Sequence, residues 1–192
     1  MMVWEKLLQR AALVAATVVG VASLSACAVV AMQDKPSIKT APPDMALVNF
    51  VRPAVFGGDA VSVDLWDGDH LIGALSAGTM VQYQIPAGTH LFLGKANNWS
   101  YIKADLAAGK QYFIKANIFP GIPIAGVALG VAKKDDKRIP TWLNEYHSVA
   151  FASEDERKAA QAARLADVQK ALANFRDGGV TRYLKITPEE GL

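Results

Sequence analysis

One cysteine, Cys27, stands in a chain of 192 residues. No disulfide can form within the chain, and no cysteine-built zinc cluster can be assembled. Histidine is almost as scarce, at positions 70, 90 and 147. No HExxH pair occurs, no phosphate loop is present, and Gly73-Ala74-Leu75-Ser76 misses the spacing of a nucleophile elbow. Charge of one sign is not in excess either, with 20 basic residues against 18 acidic ones. No long basic block stands beside interleaved aromatics, so nucleic acid is a poor partner. These gaps leave no catalytic, metal or cofactor constellation, and the sequence predicts a protein that is not an enzyme.

What the chain has in excess is apolar sequence at its start. Lys6 and Arg10 make a positive segment, diluted by Glu5, and residues 11–22 are apolar and uncharged. That run is long enough for a secretory signal. Leu24-Ser25-Ala26-Cys27 closes it and resembles the lipobox of bacterial lipoproteins, where a small residue precedes an invariant cysteine. The resemblance implies that residues 1–26 are a signal peptide that is removed, and that Cys27 is acylated on its sulfur and its new amine. A second reading is a transmembrane anchor, since residues 11–32 carry no charge and could just span a bilayer. Either way the domain is tethered to a membrane. Two or three acyl chains hold firmly, because each buried methylene contributes about 0.8 kcal/mol. Ala28 stands where an aspartate would signal inner-membrane retention in Gram-negative lipoproteins, so the analogy implies the outer membrane, facing the periplasm. Residues 27–44 are then an acylated cysteine and a flexible tether, with Pro36, Pro42 and Pro43. Its root-mean-square reach would be on the order of 20 to 25 Å.

Residues 45–151 alternate apolar and polar side chains in short runs separated by turn chemistry, the pattern of antiparallel strands. Val48 and Phe50 fall on one face, as do Val81, Tyr83 and Ile85. The same holds for Ile102, Ala104 and Leu106, and for Tyr112, Ile114 and Ala116. Pro86-Ala87-Gly88 and Ala107-Ala108-Gly109-Lys110 supply turns, and Asp67-Gly68-Asp69-His70 a hairpin loop. The expected fold class is mainly β: an antiparallel β-sandwich of about seven to eight strands, with one C-terminal α-helix packed on it. Residues 119–132 are almost purely apolar, and Gly126 and Gly130 have GxxxG spacing. The stretch is too short to span a membrane. It is expected as a loop feeding a buried strand, with a lipid- or partner-touching loop as the alternative. Residues 133–140 should be a solvated charged loop, and residues 141–151 a last strand bearing Trp142, Tyr146, Val149 and Phe151.

Residues 152–192 form the C-terminal helix and tail. Ser153-x-x-Glu156 is a capping box, and Asp177-Gly178-Gly179 a stop, giving one helix of about 23 residues. Ala162, Leu165, Val168, Leu172 and Phe175 make its apolar stripe.

Phe50-Val51-Arg52-Pro53, Leu71-Ile72-Gly73-Ala74-Leu75, Ile85-Pro86-Ala87-Gly88-Thr89-His90 and Ala108-Gly109-Lys110-Gln111-Tyr112-Phe113 together resemble a bacterial lipoprotein family, that of domain-of-unknown-function 2846. The resemblance covers residues 45–118 and implies a small sandwich of the PEGA-like or transthyretin-like kind. It carries over no catalytic residue.

Two functions fit this pattern. One is a lipid-anchored envelope lipoprotein presenting a β-sandwich interaction module to a protein partner. The other is a ligand-binding lipoprotein that recognises an envelope glycan or peptidoglycan, for which Trp66, Trp99 and Tyr101 could offer an aromatic patch. The bland reading of that trio is cross-strand packing. Asp64, Asp67 and Asp69 cluster near one hairpin, where aspartates ordinarily satisfy backbone donors. The one modified residue the pattern designates is Cys27, as the lipidation site.

Overall fold

A computed structural model describes residues 31–54, 59–121 and 124–192. The expected signal peptide, Cys27 and most of the turn at 56–59 lie outside the described residues. Along the chain the strands begin with β1 (Gln33–Asp34), β2 (Met45–Arg52), β3 (Val63–Asp67) and β4 (His70–Leu75). Next come β5 (Thr79–Pro86), β6 (Gly88–Lys95), β7 (Trp99–Leu106), β8 (Gln111–Phe119) and β9 (Gly126–Val131). Helix α1 (Ile139–Glu145), β10 (His147–Ala150), α2 (Glu154–Ala162), α3 (Leu165–Arg176) and β11 (Leu184–Ile186) complete the order.

The strands form two sheets, ordered β1-β10-β5-β2-β8-β9 and β11-β7-β6-β3-β4. Their inner faces share one core, in which Val48, Phe50 and Ile114 of one sheet meet Leu65, Phe92 and Ile102 of the other. Phe50 and Phe92 meet edge to face at 5.2 Å across it. The inward faces are those the alternation predicts, because side chains two apart point the same way. The protein is thus mainly β, but its described residues hold eleven strands and three α-helices. Both sheets are mixed rather than antiparallel, since β2 pairs β8, β5 pairs β10 and β7 pairs β11 in parallel. Parallel neighbours need a crossover connection rather than a tight turn, and these three pairs join strands distant in sequence.

Residues 141–151 are not one strand. Helix α1 takes Trp142, and only His147–Ala150 is extended. Proline near the first helical position fits there because no intrahelical N–H is needed. The charged segment before it is exposed, as expected, except at Asp136. The Asp136 carboxylate accepts from the Arg138 backbone N–H and guanidinium, which hold it down to about 2. Helix α1 then lays Trp142 and Ile139 against Val51, Met80 and Phe113, closing the outer face of the six-stranded sheet.

The C-terminal helix is broken in two at Ala163 and Arg164. Ser153 caps the first half as expected, its Oγ accepting the Glu156 N–H at 3.2 Å. The second half ends at Gly178, whose φ of 78° is the left-handed conformation glycine favours. There the Gly179 N–H reaches the Asn174 carbonyl and the Gly178 N–H that of Phe175, a Schellman closure. Both halves pack on the outer face of the five-stranded sheet, where Val168 and Ala171 are buried against Trp66, Leu71, Leu93 and Tyr101. Ala162, expected on the buried stripe, is exposed, because the break ends the first helix there.

From Gln33 onward the segment expected as a flexible tether is bonded to the domain. Gln33 and Asp34 pair with Ala150 and Val149. The Gln82 side chain donates to the Ile38 carbonyl at 2.8 Å and accepts its N–H at 2.6 Å. Gln111 donates to the Lys39 carbonyl. Two amide side chains thereby satisfy the backbone of an extended strap that would otherwise be paid out to solvent. Met32 is already packed against the core.

Candidate functional site

The predicted site residues separate in space. Asp64 lies on β3, facing the break between α2 and α3, where the Arg164 Nε donates to its Oδ2 at 3.0 Å. Burial pushes the Asp64 carboxyl up, and the charge and hydrogen bond of Arg164 pull the other way. Around this pair opens a cleft of about 480 Å³, lined also by Lys95, Asn97, Trp99 and Asp167. The Lys95 ammonium sits 5.3 Å from the centre of the Trp99 ring. Trp66 borders the cleft, and its buried indole N–H has no partner among the described residues. With two acids and two bases on its walls, the cleft is polar and electrically balanced.

The aromatic trio does not form an exposed patch. Trp66 and Tyr101 are buried beneath α3, Tyr101 stacking on Phe175 at 5.5 Å, and Trp99 is half-buried at the cleft. The helices need an apolar floor, so cross-strand packing accounts for these rings.

Two of the three histidines gather at the other end of the β3–β4 hairpin. His90 on β6 places Nδ1 3.0 Å from Asp67 Oδ2 and Nε2 3.1 Å from the Pro86 carbonyl. The hydrogen bond to Asp67 raises its pKa above the ordinary 6.5. His70 stacks on Tyr83 at 6.0 Å, and burial, aided by the nearby Arg157 charge, lowers its pKa. Burial, with the Asp67 charge, pushes the Tyr83 hydroxyl up to about 12. His147 stands apart, exposed, 3.7 Å from Asp34. The cluster offers a hydrogen-bonded acid–imidazole pair. Among the described residues no group of three acidic, histidine or cysteine side chains is placed to hold a metal ion.

This arrangement sets the two imidazoles apart in pH. Titrated by NMR, His90 is expected to show a midpoint above about 6.5 and His70 one below it. His90 binds its proton more tightly folded than unfolded, so its contribution to stability is full below about pH 6.5 and is lost as pH rises through its folded value. His70 has the opposite sign: its contribution is present above that pH and lost on acidification. Asp67→Asn should bring the His90 midpoint down. An unmoved midpoint would show that the hydrogen bond does not set it.

Sequence reasoning missed the partners that come from afar. Arg164 and Asp64 are 100 residues apart. Arg52, at the end of β2, is fully buried, and burial lowers its pKa against the attraction of Asp59. A proline directly after a charged strand end was the only local hint. Asn49, also fully buried, donates to the Tyr112 carbonyl and accepts from Gln82, so the strap and the central strand share one polar network. No described helix is long and apolar enough to cross a membrane. Compared with family models, curated proteins and solved structures, the chain matches none of them.

Proposed function

We propose that this protein is a lipid-anchored lipoprotein of the bacterial envelope, held by acyl groups on Cys27 and presenting a β-rich interaction module rather than a catalyst. The observation that carries the reading is Leu24-Ser25-Ala26-Cys27, with the only cysteine of the chain directly after an uncharged apolar run. The strap supports it. Met32 already touches the core, so only residues 28–31 separate it from Cys27. Five residue steps reach at most about 18 Å, which seats the domain close to whatever holds Cys27. The likeness to domain-of-unknown-function 2846 lipoproteins favours the same class, and Ala28 favours the outer membrane, facing the periplasm.

Intact-mass measurement of the purified protein is expected to give a chain starting at residue 27 with added acyl mass. Cys27→Ser should leave an unprocessed precursor without lipid. An unmodified chain beginning at Met1 would rule the lipobox reading out.

A second reading, recognition of an envelope glycan, draws on the cleft beside Asp64 and Arg164. Its balanced polar walls and the half-buried Trp99 suit a neutral, hydroxyl-rich ligand. Retention of the protein on immobilised peptidoglycan, lost in Trp99→Ala, would favour it over a protein partner.

A further inference from the structure

We propose that residues 32–44 are a releasable strap, which leaves the six-stranded sheet while the two sheets stay folded and so lengthens the tether between Cys27 and the domain. The proposal rests on the lipid-anchor reading and adds to it a second, longer reach. The buried core begins only after the strap. Ala46 is the first buried residue of the described chain, and every residue from 31 to 44 is exposed or half-buried. Met32 is the one side chain of the strap that joins a hydrophobic cluster. It lies over Gly73, where an added Cβ would come within 2.9 Å of its Cε.

The rest of the hold is polar and sits at a sheet edge. Strand β1 makes two residue pairs with β10, and the Lys35 N–H donates to the Ser148 carbonyl at 2.8 Å. Strand β10 is itself four residues long and pairs with β5 at only two of them. Beyond it the strap backbone is held by side chains, Ile38 by Gln82 and the Lys39 carbonyl by Gln111. Segments with few buried apolar contacts open at lower free energy than the core does.

The seat under Ile38 and Lys39 does not need the strap. The Gln82 amide also donates to Asn49 Oδ1 at 2.8 Å, and the Ser148 hydroxyl donates to Gln82 Oε1 at 3.2 Å. Asn49 in turn donates to Gln111 Oε1 at 3.4 Å. When the strap leaves, these groups keep one another and take up water with their remaining donors and acceptors. Ser37 works against docking. Its Oγ is buried there with no hydrogen-bond partner among the described residues. A buried hydroxyl without a partner is penalised, and release returns it to water.

Release changes the reach severalfold. Docked, the domain hangs on the five residue steps from Cys27 to Met32. Released, eighteen steps separate Cys27 from Met45, an extended span of at most about 65 Å. The same anchor thus serves a domain seated at the bilayer and one that searches well away from it.

The test is hydrogen exchange, read by mass spectrometry, on the full acylated protein in phosphatidylethanolamine–phosphatidylglycerol nanodiscs. Peptides of residues 32–44 are expected to exchange through a local opening, with protection at least about a hundredfold below that of β2. Ser37→Ala should raise the protection of the strap about fivefold or more, and Gln82→Ala should lower it by as much, each read against β2 of the same variant. Protection equal to that of β2, lost only on global unfolding, would overturn the proposal. So would exchange as fast as that of an unstructured peptide, since the strap would then not dock at all. Intact mass separates the two readings. Local opening in a chain without acyl mass keeps the release and removes the anchor, whereas equal protection in an acylated chain removes the release alone.

Discussion

Trp142→Ala is expected to lower the unfolding free energy by about 3 to 5 kcal/mol, as for other fully buried tryptophans. Trp142 is 2% exposed and stands 6.1 Å from the Phe113 ring, with the Arg138 guanidinium over its other side at 5.3 Å. Helix α1 has only seven residues, too few to persist on propensity alone, so its place depends on Trp142 and Ile139, of which Trp142 is the larger. Losing it would uncover Val51, Met80 and Phe113 on the outer face of the central strands. The melting temperature should fall by roughly 2 to 4 °C for each kcal/mol lost in a domain of this size. Urea and thermal unfolding followed by near-ultraviolet circular dichroism would measure both. A loss under about 1 kcal/mol would show that α1 does not seal that face, since core truncations of this kind cost several times more.

Val168→Asp is the corresponding test of the helical cover on the other sheet. Val168 is fully buried against Trp66, Leu71, Leu93 and Tyr101. Its neighbours there are apolar, so a new carboxylate would be stripped of water, at a cost of about 3 to 5 kcal/mol. The penalty falls on the ionised form, so burial raises the folded pKa of the new group above its unfolded value. The defect should therefore be full at neutral pH and shrink as the pH falls toward the carboxyl range. Val168→Ala should show a smaller loss with no such pH dependence. Leu172→Ala falls between them, because Leu172 is only half-buried. Equal melting curves for wild type and Val168→Asp would mean that α3 is not part of the folded unit and serves a partner.

The comparison of the two helical covers shows where local reading runs out. Within one run of eleven residues, 141–151, Trp142 and Tyr146 are spaced for a helix while Ser148 and Val149 belong to a strand. A short helix followed at once by a short strand gives neither period room to repeat, and the whole run reads as alternation. The longer helix had enough repeats and a cap at each end, so its start at Ser153 and stop at Gly178 were legible. Its break was not, because no proline or glycine marks Ala163 and Arg164. At the break Arg164 reaches Asp64 of β3, a partner that lies outside the helix. The candidate cleft is opaque for the same reason. Its acid comes from β3 and its base from the helix break, 100 residues on.

By itself the sequence determined most of the strands between residues 45 and 119, their inward faces, and the cap at Ser153 and stop at Gly178. Each of these depends on neighbours within a few positions, through side-chain alternation, turn torsions and capping hydrogen bonds. Only the tertiary structure decided which strands pair, that three of those pairings are parallel, and that the N-terminal strap is fastened by Gln82 and Gln111. It also decided that Trp66 and Tyr101 are floor rather than surface. These depend on what arrives from far along the chain, because burial belongs to the assembled layers and no short stretch can state what will cover it.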